Sequence, residues 1–178
     1  MAASFRFLCS ESGSETIHPV EGIDIGFVVK LPSLSKVKEL GQRAVCLNNV
    51  RQLTMVWRMY ADENDDKICA ANVGNEKYPG WVHYDGAKGT PKEQIKSIQA
   101  GMLFSYVETM DIYTCPTAKK DEVRSYSAVS SMNTNPNNKK GKVYKKLSNV
   151  RNRDSMLVFV CEGKISNYAY QVAYHGPQ

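Results

Sequence analysis

The residues of this chain that can do chemistry are five cysteines, three histidines, one knot of carboxylates and one basic run. The cysteines are Cys9, Cys46, Cys69, Cys115 and Cys161. None belongs to a C-x-x-C pair, so the common zinc and thioredoxin spacings are absent. An odd, scattered set reads as buried free thiols or, in an oxidising compartment, as one disulfide with the rest unpaired. Cys46 falls on the apolar stripe of a helix and Cys161 in a hydrophobic strand run. Neither stands at a helix start beside basic residues, the setting that turns a thiol into a reactive thiolate. His18 lies in a polar lead, His83 in a turn-rich stretch and His175 near the end. The G-x-S-x-G, P-loop and dinucleotide signatures are missing. These residues predict no enzyme and no catalytic site.

The carboxylates sit in "ADENDDK", where Asp62, Asn64 and Asp66 have the alternate spacing that opens a calcium loop. Lys67 stands where that loop needs glycine, and Val73 where it needs a bidentate glutamate. The turn therefore reads as a weak calcium site or as a solvated acidic corner. The basic run is "KKGKVYKKLSNVRNR", residues 139–153, with seven basic residues, no acid, and Tyr144 among them. Such a run can neutralise phosphates, which leaves nucleic-acid binding by a stand-alone soluble domain as an alternative reading. A solvated loop face explains it equally.

Something must hold these groups in place. At 178 residues, 42% hydrophobic and 23% charged, the chain is long enough for one domain with a real core. Its formal net charge of +5 permits contact with an acidic surface without demanding one. No run of about 18 apolar residues is present to span a membrane. Residues 1–30 are polar and turn-rich at first, and read as poorly ordered or loosely docked. From Pro32 to Tyr60 no further proline intervenes, which predicts a long helix over 33–61. On a wheel of about 100° per residue, Cys46, Val50, Leu53, Trp57 and Tyr60 share one side. Leu34, Val37, Ala44 and Val45 fall near the opposite side, so the stripe changes face around residue 45 and the helix has two surfaces to satisfy. Leu47 fits neither.

Residues 72–90, rich in Gly, Asn, Pro and Tyr, read as a long surface loop. "TPKE" then opens a short helix over 91–100: Thr90 caps, Pro91 takes the first position and Glu93 reaches back. Gly101 suits a left-handed helix end. "MLFSYV" (102–107) reads as one more helical turn. Four later runs are β-branched or aromatic: "DIYTCP" (111–116), "RSYSAVS" (124–130), "SMLVFVCE" (155–162) and "NYAYQVAY" (167–174). Helix first and strands later predict an α+β domain with an antiparallel sheet over 111–174.

Taken in order, "LPSLSKVKELGQRAVCLNNVRQLTMVWRMYADENDDK", "GMLFSYV", "IYTCPT", "RSYSAVSSMN" and "MLVFVCEGKI" resemble the globular part of bacterial prepilin-type proteins. These are the pseudopilin-like relatives of type II secretion and type IV pilus subunits, in the branch that ends in an Asp-Gly-His tail. The likeness spans residues 31–178 and is most specific over 31–67. It implies a pilin-like fold, a long N-terminal helix on an antiparallel sheet, and a non-enzymatic structural subunit of the cell envelope. Assembly would run through Leu34, Val37, Ala44 and Val45 against other pilin-like subunits or another copy, with no small-molecule substrate. Relatives start with a leader, a prepilin cleavage and methylation motif and an apolar segment. Here Gly26-Phe27-Val28-Val29 stands without the motif's glutamate, and "YHGPQ" replaces the tail. The resemblance is thus to a domain without its membrane helix and C-terminal end, extracytoplasmic by family but cytoplasmic if this is the complete product. Cys46 and Cys115 stand where cysteines occur in that branch. The likeness implies either a Cys46–Cys115 disulfide, worth about 4 kcal/mol by loop entropy, or two separate buried thiols.

Overall fold

A computed structural model describes residues 34–74, 78–83, 89–134, 143–151 and 156–161, all within one compact unit, Ser33–Gln178. The dominant element is helix α1, Leu34–Glu63, 30 residues and so about 45 Å long. It lacks any internal proline, and Gly41 is its only glycine. Its end is built from side chains that tolerate left-handed backbone. Asp65 and Asp66 take φ of 54° and 65°. The Asp66 amide donates back to the Ala61 carbonyl at 2.9 Å, the wide closing bond of a Schellman turn made without glycine. The Asn64 amide group donates to the Tyr60 carbonyl at 2.7 Å and occupies another terminal acceptor.

Helix α2 is Pro91–Gln99. The Glu93 carboxylate accepts from the Thr90 amide at 2.7 Å and from its hydroxyl at 2.9 Å. Those donors hold the Glu93 carboxyl below its ordinary range. Single 3₁₀ turns follow at Phe104–Tyr106, Asp111–Tyr113 and Leu147–Asn149. Strands β1, Tyr126–Ala128, and β2, Phe159–Cys161, pair antiparallel, with Tyr126 opposite Cys161 and Ala128 opposite Phe159. The class is mixed α+β.

Three expectations are corrected here. "DIYTCP" is no strand: residues 111–113 form a 3₁₀ turn, with Ile112 and Tyr113 buried in succession rather than alternately. The Asn49 side chain draws that turn onto α1, donating to the carbonyls of Thr114 at 3.0 Å and Asp111 at 3.4 Å. Tertiary bonding overrides β-propensity there. The sheet is also smaller than 111–174: among the described residues only 126–128 and 159–161 are strands, and "NYAYQVAY" lies outside them. Finally, the stretch 72–90 is not surface throughout: Tyr78 and Thr90 are exposed, but Gly74 and residues 80–82 are buried. Trp81 and Val82 are 1% and 0% exposed. The Trp81 ring stacks on Tyr113 at 6.2 Å, meets Phe159 edge-on at 5.2 Å, and carries the Arg124 guanidinium 5.3 Å from its centre.

Glycines make this plug fit. A Cβ on Gly101 would lie 2.3 Å from the Trp81 carbonyl oxygen. Gly101 is needed for that close approach, and the preceding Ala100 keeps right-handed backbone. Gly74 and Gly80 face each other even more tightly, a Cβ on Gly74 falling 2.0 Å from the Gly80 nitrogen. Residues 1–30 lie outside the described chain.

Candidate functional site

Helix α1 serves two surfaces. Towards the body, Asn49, Leu53, Val56, Trp57 and Ala61 are buried, with Cys46, Val50 and Tyr60 packed partly behind them. The Trp57 indole N–H donates to the Cys69 carbonyl at 3.4 Å and links the helix to the segment that follows it. Further forward on the helix the expected assembly residues are exposed: Val37 at 50% and Ala44 lie opposite the buried face, Leu40 at 63% beside them, while Leu34 at 85% and Val45 at 49% lie on the flank in line with Val56. Leu47, Met55 and Met59 are exposed as well. At about 100° per residue, Val37, Leu40, Ala44, Leu47, Met55 and Met59 make one outer row with Arg51 as its charged interruption. The outer row therefore runs along the whole helix. The expected change of face at residue 45 falls where the inner row of core-packed apolar residues begins, at Cys46.

On that inner row the structure gathers chemistry that local spacing does not reveal. The Sγ atoms of Cys46, Cys115 and Cys161 all lie within 4.8 Å of one another. Each arrives on a different element. Cys46 comes from α1, one turn before Asn49. Cys115 follows the 3₁₀ turn that Asn49 binds, and its amide donates to the Ser125 hydroxyl at 3.1 Å. Cys161 ends β2, opposite Tyr126. All are free thiols in this structure, so Cys46 and Cys115 share a site with a third sulfur. The sequence signal was limited to Cys46 on an apolar helix stripe and Cys161 in a hydrophobic strand run; the resemblance linked Cys46 with Cys115 and missed Cys161.

Electrostatics make the three unequal. Hydrogen bonding from the Cys161 thiol, with a smaller contribution from Cys115, outweighs burial and holds Cys46 at about 6. The same bond to Cys46, with burial, pushes Cys161 up. One proton therefore leaves the cluster easily and the next is retained, as expected of sulfurs that share hydrogen bonds. Burial and the neighbouring Cys46 also raise the Tyr126 hydroxyl. Beside the cluster opens a cavity of about 100 Å³, lined by Cys115, Cys161, Thr117, Ser125 and Glu122 among others. The Thr117 hydroxyl lies 3.1 Å from the Cys115 sulfur. One Glu122 carboxylate oxygen is buried without a hydrogen-bond partner. Cys69 stands apart: its thiol is buried and pushed up to about 12, an inert packing group.

Comparison with known proteins finds no matching family model, no matching curated protein and no matching solved structure.

The remaining sequence candidates are placed individually. In the acidic turn, Asp66 is committed to residue 148: its carboxylate accepts from the Ser148 amide at 3.1 Å and from the Ser148 hydroxyl. Asn64 is engaged with Tyr60 and, at 3.5 Å, with the Tyr106 hydroxyl, while Asp62 is exposed. The turn thus has a structural task, pinning the end of α1 to the 143–151 segment. Of the basic run, residues 143–151 are described. Lys145, Lys146 and Arg151 are exposed, whereas Tyr144 is half-buried and packs partly against the core. His83 is half-buried, and its amide donates to the Ser97 carbonyl at 2.8 Å. Cys9, His18 and His175 lie outside the described residues. No helix among the described residues is long and apolar enough to cross a membrane.

Proposed function

We propose that this chain is a non-enzymatic, pilin-like assembly subunit that docks through the outer row of α1 on the same row of a neighbouring copy. The observation that carries the reading is the outer row Val37, Leu40, Ala44, Leu47 and Met55, left in water away from the inner row that begins at Cys46. A helix needs one apolar stripe to hold its own body. A second, at spacings of three and four, is the pattern that packs one helix on another. Exposed leucines and valines are common singly, but several in one row mark a contact surface. The order of motifs along the sequence resembles prepilin-type proteins, whose helices pack in this manner, and that resemblance supports a place in the cell envelope.

The test is a photo-crosslinking amino acid at residue 37 or 40 in the purified chain. Crosslinks that map to residues 34–47 of a second copy are the expected result. A chain that stays monomeric at high concentration, with no such crosslink, would overturn the proposal.

A further inference from the structure

We propose that Cys46, Cys115 and Cys161 form a binding site for a single thiophilic d¹⁰ metal ion, Zn²⁺ or Cu⁺, whose open coordination position faces the adjoining cavity. Geometry comes first. A metal about 2.3 Å from each sulfur spaces the sulfurs about 4 Å apart. These three already lie within 4.8 Å of one another, so binding asks each pair to close by less than about 1 Å. No other group of three or more His, Cys, Asp or Glu side chains among the described residues meets that condition.

The donor set selects the metal. Three sulfurs without carboxylate or imidazole favour soft ions and disfavour calcium or magnesium. Three thiolates complete a trigonal site for Cu⁺, whereas Zn²⁺ takes a fourth donor. The cavity of about 100 Å³ beside Cys115 and Cys161 has room for a water in that position. Glu122 lines the same cavity with one buried oxygen lacking a hydrogen-bond partner, as suits a carboxylate that receives a metal-bound water or orients it. The scaffold around the sulfurs is preorganised. Asn49 ties α1 to the Cys115 turn, Ser125 fixes the Cys115 amide, and the strand register sets Cys161 opposite Tyr126. Binding releases thiol protons to solvent and forms three metal–sulfur bonds, with no change of oxidation state. The metal would also clamp helix, turn and strand together.

The experiment uses the full chain, reduced and metal-free under anaerobic conditions, titrated with Zn²⁺, Cu⁺ and, as a spectroscopic probe, Co²⁺. The expected result is one equivalent bound, thiolate-to-cobalt charge-transfer bands, and protection of Cys46, Cys115 and Cys161 from alkylation read residue by residue. C46S, C115S and C161S should each weaken binding by more than about 100-fold, and C69S should leave it unchanged. E122Q should weaken Zn²⁺ by about 10-fold, as removal of a metal's outer partner does, while sparing Cu⁺. Circular dichroism confirms that each variant folds. Failure of the chain to bind any of the three ions, an unchanged cobalt spectrum in C161S, or a Cys46–Cys115 disulfide that forms in air despite saturating Zn²⁺ would each overturn the site.

Discussion

The division of labour on α1 can be tested by substituting its two faces separately. Leu53 is 0% exposed and lies in the core with Trp57. Removing its branched end leaves a cavity that the long helix cannot collapse into, since the Trp57–Cys69 bond and the Asn49 bonds hold the helix in place. Leu→Ala at such a site costs about 2–5 kcal/mol, and about 3 kcal/mol is expected here. For a folded unit of this size that lowers Tm by about 6–12 °C. Val37 and Leu47, both on the outer row, are each about half exposed, and serine lies within a few tenths of a kcal/mol of either in helix propensity. V37S/L47S should therefore change stability by less than about 1 kcal/mol, the sum of two ordinary surface changes. The assay is urea and thermal unfolding followed by circular dichroism, paired with sedimentation velocity. L53A should unfold early yet self-associate while folded; V37S/L47S should melt like the parent yet remain monomeric. A double serine variant that loses several kcal/mol, with an L53A chain as stable as the parent, would mean the helix is clasped by its other side. The assembly argument would then fail.

Two further outcomes are expected. G80A should be strongly destabilised, by several kcal/mol or to the point of not folding, because its Cβ would lie 2.1 Å from the Asn72 carbonyl oxygen and neither backbone can yield; a normal urea midpoint would contradict the packing of the Trp81 segment. Cys69 supplies a pH signature. Its folded-state value is raised from 9.0 to about 12, so its contribution is complete below pH 9 and is lost as pH climbs towards 12, where the unfolded thiol ionises and the folded one resists. Between pH 9 and 10 the parent should lose about 1 kcal/mol more stability than C69A, a difference to be read from urea midpoints at the two pH values.

Much of the helical architecture was legible in the chain itself. The proline-free run predicted α1 over 33–61, against Leu34–Glu63 observed, and "TPKE" predicted the start of α2. These are local properties, set by backbone bonds that close within four residues and by caps beside them. The inner row from Cys46 to Tyr60 was legible for the same reason, since helical period alone decides which side chains share a face.

What only the tertiary structure decided depends on contacts between segments far apart. A Gly-, Asn- and Pro-rich stretch looked like surface, yet its Trp81 fills the core, because two facing glycines let the backbone fold inwards there. "DIYTCP" had strand composition but became a turn, because Asn49 on a distant helix claimed its carbonyls. The thiol cluster is the clearest case. No spacing announces Cys46, Cys115 and Cys161 as a group; they meet because helix, turn and strand end at one corner of the core. Sequence dictates each sulfur's immediate neighbours along the chain, while the distance between sulfurs is a product of packing.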